Sequence, residues 1–381
     1  MEQVALLRCK EYDTDRIEEA LRRGFDFLGG ETFLRRLIPP GTRVLLKPNL
    51  LSQEPPGSLV VTDHRVFEAV IRILKDYAGT ITFGDSPGLG SSRRAAESCG
   101  LMEVAFRYGV AFDPFEEWIV GKVEDPLLCP TFDVARAAMD TDVLITLPRL
   151  KTHAMMSYTG AVKNQFGCVS GLKKAAWHSR MPRPEDFARM LLDLNHLVKP
   201  RLAILDGIVA MEGNGPKNGT GNPMETLIIG ESITAVDTLA ATLIGHDPQD
   251  IPYLRQALIH HRGTAQMDGI RVLGEDPETM KPENFQRIRG KSHMSFSNQG
   301  IFQQVLTGIL APRPVLTRSR CIRCRQCGKI CPERPDVISF TDGYPQWNMD
   351  CCIRCFCCQE ICPAGAIYVK HPPLARLLKI K

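Results

Sequence analysis

Apolar positions in the first three hundred residues follow two periods. Short, mostly apolar runs at 44–46, 81–83, 143–147, 202–205 and 227–229 read as buried strands. Between them the spacing turns helical. Val66, Ala69, Val70 and Leu74 recur three and four apart behind Thr62 or Asp63, which predicts a capped helix running to about Tyr77. Ser91 or Ser92 opens a shorter helix that stops at Gly100, and helices are predicted over 184–197 and 232–244. Strand alternating with helix argues for a layered α/β domain with a mostly parallel sheet.

The first four predicted strands each run directly into a polar cassette: Lys47-Pro48-Asn49, then Gly84-Asp85-Ser86-Pro87-Gly88, then Pro148 to His153, then Asp206-Gly207. Ligands of open α/β sheets bind beyond the carboxyl ends of the strands, so the cassettes are expected to converge on one crevice. Their chemistry suits an anion. Lys47, Lys151 and Lys163 bring positive charge, and the glycine-rich turn at 84–90 precedes a helix start, where free N–H groups favour negative ligands. Lys47, Asp85, Lys151 and His153 form the expected catalytic group, with His153 or Asp85 moving protons. Asn49, Thr152, Lys163, Asn164 and Asp206 form the expected substrate-binding group, and Thr159 has similar chemistry. Asp85, Asp206 and Glu212 could instead hold a divalent cation. Plainer readings stand beside these: solvated lysines, turn-shaping aspartates and a structural histidine. The loop 212–219 reads as a ligand loop or a turn, and Cys168 as a small buried residue.

The chain has 381 residues, 44% hydrophobic and 24% charged, enough for two or three globular domains. No run approaches the roughly 18 apolar residues of a membrane helix, and the first fifteen residues lack the charge and apolar pattern of a signal peptide. A cytoplasmic, reducing setting is expected, where clustered cysteines bind metal more often than they form disulfides. The formal charge of +4 counts every cysteine as neutral. Eight ligating thiolates and two doubly positive cores would bring it to about zero, so the basicity is no argument for a nucleic-acid partner. There is no G-x-x-x-x-G-K-[ST], no G-x-G-x-x-G behind a strand, no HExxH and no GxSxG, so the common fingerprints for ATP, NAD and flavin are missing.

Ten of the fourteen cysteines lie between Cys321 and Cys362. Cys321, Cys324, Cys327 and Cys331 before Pro332 follow C-x₂-C-x₂-C-x₃-C-P, and Cys352, Cys355, Cys358 and Cys362 before Pro363 repeat it. This is the bacterial two-cluster run, in which the fourth cysteine serves the other cluster. Cys321, Cys324, Cys327 and Cys362 are therefore expected to hold one [4Fe–4S] cluster, and Cys352, Cys355, Cys358 and Cys331 the second. Zinc sites more often use two separated CxxC pairs. Cys351 and Cys357 are left over and read as incidental. Between 312 and 331 stand six basic residues and no acidic one: Arg313, Arg318, Arg320, Arg323, Arg325 and Lys329. They balance cluster charge, or steer an acidic flavodoxin-like or ferredoxin-like redox partner.

Residues 315–369 resemble the two-cluster ferredoxin domain, which implies a small pseudo-symmetric α+β unit that passes single electrons. "LLKPNLL", "FGDSPG", "LPRLKTHAMMSYTGAVKNQFG", "LDGIVAMEGNGP" and "AVDTLAATLIG" together resemble domain-of-unknown-function family 362, often fused to such a tail. That resemblance implies an iron–sulfur protein and no settled activity. Residues 61–65 and the helix behind them are similar to the N-terminal half of nickel-pincer lactate racemases, which implies a Rossmann-like layered architecture and not racemase activity.

The expected organisation is an α/β domain at 1–300, a linker at 301–314, the ferredoxin domain at 315–370 and a basic tail at 371–381. The expected function is an oxidoreductase relaying single electrons from two [4Fe–4S] clusters to an anionic small molecule or an unidentified cofactor. The alternatives are an electron carrier with a docking α/β domain, and a non-redox enzyme with structural clusters.

Overall fold

The computed structural model describes residues 1–88, 90–288, 311–333 and 337–370. Its strands are β1 (Glu2–Arg8), β2 (Arg43–Pro48), β3 (Thr80–Phe83), β4 (Ala111–Phe112), β5 (Trp118–Lys122), β6 (Thr131–Ala135), β7 (Val143–Leu147), β8 (Arg149–His153), β9 (Ser157–Thr159), β10 (Leu202–Glu212), β11 (Thr220–Gly230) and β12 (Ile270–Gly274). Ten of them form one sheet in the order β12-β1-β11-β10-β7-β2-β3-β4, with β8 and β9 attached beside β10. The pairs β1–β12, β10–β7, β7–β2, β2–β3 and β3–β4 are parallel. Only β11 breaks the direction along that order, because it returns from β10 as an antiparallel hairpin and pairs with β1 the same way.

Alternate strand residues face two separate cores, as the two-residue side-chain period requires. Leu45 and Leu144 enter one core with Phe187, Leu191, Leu239 and Leu254. Val44, Leu46, Val143 and Ile145 enter the other with Ile17, Phe33, Val66 and Leu101. The result is a three-layer sandwich with helices on both faces.

The predicted helices are present with their caps. Asp63 accepts from the Arg65 N–H ahead of His64–Leu74, Ser91 from Arg94 ahead of Ser92–Ser98, and Ser232 from Ala235 ahead of Ile233–Leu243. The periodicity reading assigns nothing before Val44, yet β1 and the helices Thr14–Phe27 and Gly30–Leu37 lie there.

Two boundaries differ. The run at 202–205 opens an eleven-residue strand, so Asp206-Gly207 sits inside β10 and not beyond its end. The cassette Arg149 to His153 is itself a strand, β8, with every residue buried. Polarity hid it: Arg149 is buried by pairing with Asp206 at 2.9 Å across the β8–β10 pair.

The C-terminal segment has β13 (Arg313–Leu316) paired with β16 (Ile367–Lys370), and β14 (Ile338–Thr341) paired with β15 (Tyr344–Trp347). Short helices Gln326–Ile330 and Cys357–Glu360 pack between them. Most of the expected linker, 301–310, and all of the expected tail, 371–381, lie outside the described residues. Arg313 and Pro314 at the linker's end already belong to a strand. No described helix is long and apolar enough to cross a membrane.

Candidate functional site

Strands β2, β3 and β7 are parallel neighbours, so their carboxyl ends open on one side of the sheet. A second structure closes over that side. The turn Ala161–Asn164 is fixed at its start by Asp237, whose carboxylate accepts from the Ala161 and Val162 N–H groups at 2.6 and 2.9 Å. Burial lifts the Asp237 carboxyl to about 7, against those hydrogen bonds. From this anchor Asn164 reaches the Lys47 carbonyl and the Thr146 hydroxyl with its amide nitrogen.

Between these elements and the cysteine-rich segment lies a cavity of about 110 Å³. That is room for more than one water-sized group. Lys151, Lys163 and Lys174 line it, with His153, His178 and Asn164. Leu50, Leu51 and Phe166 supply apolar surface, and Ile330, Cys357, Glu360 and Ile361 form the wall contributed by the cysteine-rich segment.

The three lysines differ in commitment. Lys151 donates to Asn49 Oδ1 at 2.5 Å and the Val60 carbonyl at 2.6 Å, leaving one Nζ position for the cavity. Burial, with Lys163 and Arg149 nearby, draws it down to about 7. Lys174 donates to the Ser86 carbonyl, and burial lowers it to about 8. Lys163 has no hydrogen bond or ion pair among the described residues, and burial lowers it as well. Asn164 Oδ1 and His178 Nδ1 are buried without hydrogen-bond partners. A half-buried ammonium without a partner among the described residues favours a negative group, and the open Asn164 Oδ1, which can only accept, favours a hydrogen-bond donor on the same polar guest.

His153 is neutral, drawn by burial to about 4. Its Nδ1 accepts from the Met155 and Met156 N–H groups, so the proton sits on Nε2. Nε2 comes within 3.1 Å of Glu360 Oε1 without the alignment of a hydrogen bond. Burial works against the Glu360 charge, but His153 and Lys163 outweigh it and hold the carboxyl down at about 2.

Among the expected residues, Asn49, Asp85, Lys151, His153, Thr159, Lys163 and Asn164 line the cavity together. Lys47 does not. It is fully buried and pairs with Asp85 Oδ1 at 2.9 Å, while Asp85 Oδ2 accepts from the Leu50 N–H. Gly167 passes so close that a side chain there would strike both Asp85 and Lys47. Thr152 stands behind the wall, its hydroxyl donating to the Gly213 carbonyl and accepting from Gly215 N–H. Asp206 lies across the sheet with Arg149 and Tyr12. Glu212 accepts from Asn222 and the Gln286 N–H. These carboxylates are dispersed over separate partners, and among the described residues no three His, Cys, Asp or Glu side chains converge to hold a single metal ion. Lys174, His178, Cys357 and Glu360 were not expected at the site. The first two are four apart in the helix Gly171–Arg180 and so share a face; that spacing was the signal available.

The loop joining β10 to β11 is gripped by the cysteine-rich segment. Gln359 Nε2 donates to the Asn214 and Gly215 carbonyls at 3.0 and 3.2 Å, and Asn218 Nδ2 donates to the Gln359 carbonyl. Gly215 must be glycine, since a Cβ would meet the Thr152 carbonyl.

The cysteines ring two further cavities. One is lined by Cys321, Cys324, Cys327 and Cys362, the other by Cys331, Cys352, Cys355 and Cys358 together with Cys357. The two motifs also share a backbone trace: Arg323 and Arg354 take φ of 56° and 55°, Arg325 and Phe356 59° and 62°. Left-handed conformations at four matched non-glycine positions are strained and fold each loop around its cavity. Four thiols from two motifs around each space fit the donor set of an iron–sulfur cluster.

Fold and site together define a mixed α/β protein whose cationic cavity is capped by a cysteine-rich module. A model of a domain of unknown function (DUF362) matches residues 44–242. The chain belongs to that family. It is 36% identical over 251 residues to thylakoid-associated protein sll1697 of Synechocystis sp., covering 65% of this chain and 76% of that protein. Two solved structures share parts of it. A Thermotoga maritima protein is 13% identical with a TM-score of 0.35, over 55% of this chain and 54% of the other. The lactate racemase apoprotein of Thermoanaerobacterium thermosaccharolyticum is 12% identical with a TM-score of 0.37, over 56% and 51%. The chain spans about half the length of each of these structures, and at such scores neither likeness bears on the site.

Proposed function

We propose that this chain is an iron–sulfur oxidoreductase that relays single electrons to an anionic small molecule held in the buried cavity. The observation that carries this reading is the shared wall: the segment bearing both cysteine sets also closes the lysine-lined cavity. Cys321, Cys324, Cys327 and Cys362 would hold one [4Fe–4S] cluster, and Cys352, Cys355, Cys358 and Cys331 the other, in a ferredoxin-like unit. Such clusters, when bound, accept and release one electron at a time. Lys163 and Lys174 bind the anion, Asn49 orients it, Asn164 Oδ1 accepts from a donor group on the guest, and Lys151 holds or releases a proton at Nζ near neutral pH. The basic stretch from Arg313 to Lys329 would steer an acidic donor of the flavodoxin or ferredoxin kind.

We place the protein in the cytoplasm. All fourteen cysteines are free of disulfides, which suits a reducing compartment. The Synechocystis relative is by name thylakoid-associated, so attachment to a membrane surface is the competing localisation.

The test is reoxidation. Protein reduced anaerobically and freed of reductant is expected to be reoxidised faster by a small anion that carries its own reducible centre, such as nitrite, than by an uncharged acceptor of similar potential, the electron passing from the cluster to that centre. Substituting Lys163→Ala should slow this at least about tenfold, because a charge-assisted contact contributes about 1.5–3 kcal/mol. The same variant should bind sulfate about 10–100-fold more weakly by calorimetry, with an unchanged melting temperature. Turnover that ignores cluster oxidation state would contradict the reading.

The lysines also set a pH dependence. Lys174 and Lys151 gain their protons as pH falls through about 8 and about 7. Sulfate keeps its charge there, so its affinity should rise roughly tenfold or more from about pH 9 to about pH 6. Stability should move the opposite way. An unfolded lysine keeps its proton up to 10.5, so above about 7 the unfolded chain binds more protons and folding strengthens as pH rises.

A further inference from the structure

We infer that Cys357 couples the anion cavity to the second cysteine set, so that a guest in the cavity acts on the group held by Cys331, Cys352, Cys355 and Cys358 and not on the other. The inference rests on the iron–sulfur reading above and says which half of the module faces the guest.

Three observations carry it. Cys357 lines both the anion cavity and the cavity of the second set. Its counterpart in the first motif, two residues behind Cys324, is Gln326, which lines the first set's cavity and not the anion cavity. Ile330, next to Cys331, and Ile361, next to Cys362, both lie on the anion cavity's wall, so only Cys357 distinguishes the two sets. The anion cavity has its own marks of a guest in the unpartnered Asn164 Oδ1 and His178 Nδ1, on residues 6% and 4% exposed. The motif spacing makes Cys357 a spare. A spare thiol in this place is a small, polarisable wall between guest and cluster, more than 90% buried.

The experiment uses the full chain, purified anaerobically, with sulfate as the probe. Each cluster's midpoint potential is followed by electron paramagnetic resonance. Sulfate is expected to move one of the two signals to lower potential, because a nearby negative charge opposes reduction. The other signal should stay in place. Cys357→Ser should keep the wild-type iron content and, without sulfate, shift the signal that sulfate shifts. The inference is overturned if sulfate moves both signals or neither, if the substitution moves the other signal, or if it removes half the iron. Should Cys357→Ser fail to fold, Cys357→Ala and the wild-type sulfate titration decide. Absent cluster signals, or no sulfate binding by calorimetry, contradict the functional reading and the inference with it. Intact signals and bound sulfate without a selective shift overturn the inference alone.

Discussion

Replacing Lys47 with alanine is expected to destabilise the fold by about 3–5 kcal/mol, the usual cost of removing one partner from a buried ion pair. Lys47 is fully buried and Asp85 nearly so, and they meet at 2.9 Å. Without the ammonium, the Asp85 carboxylate keeps its hydrogen bond from Leu50 but loses its compensating charge. Urea unfolding should show the midpoint falling with little change in slope. The double variant Lys47→Ala/Asp85→Ala should recover part of the loss, because it leaves no orphaned charge. A Lys47→Ala protein of native stability that had lost only sulfate binding would make Lys47 a ligand contact instead of a scaffold residue.

Paired cysteine substitutions should reveal the crossed arrangement of the two motifs with a larger signal still. Wild-type protein is expected to hold about eight irons per chain, four per cluster. Cys321→Ser and Cys362→Ser should each leave about four, and so should the two together, since both residues line one cavity. Cys321→Ser with Cys331→Ser should leave almost none, because Cys331 belongs to the other cavity. Loss of all iron from Cys321→Ser/Cys362→Ser would show that each motif closes on itself. Iron and acid-labile sulfide analysis of anaerobically purified variants checks this.

Local signals dominate what could be read from the chain. The helix His64–Leu74 was legible because its apolar stripe and the Asp63 cap are both local, and the strands of the parallel centre because they are short, mostly apolar runs. β8 was not legible: Arg149, Lys151 and His153 look like a loop until the partners across the fold are known. The meeting of Lys47 with Asp85 depends on neighbouring parallel strands 38 residues apart in the chain. The turn residues Lys163 and Asn164 were legible as polar candidates. What aims them, the Asp237 carboxylate that accepts from Val162 75 residues earlier in the chain, was not. The far wall of the cavity comes from within the two cysteine motifs, Ile330 from the first and Cys357, Glu360 and Ile361 from the second, at positions to which the cysteine spacing assigns no role. Spacing assigns each fourth cysteine to the opposite motif; Cys362 lines a cavity with Cys321, Cys324 and Cys327, and Cys331 lines the other with Cys352, Cys355, Cys358 and the unassigned Cys357.

The central claim is that two clusters exchange electrons beside an anion site. An anaerobic potentiometric titration of the full chain, followed by electron paramagnetic resonance, addresses it most directly. The account predicts two reversible one-electron reductions from [4Fe–4S] centres. A chain that binds no iron, or clusters that cannot be reduced in water, would contradict it and leave the cavity to non-redox chemistry.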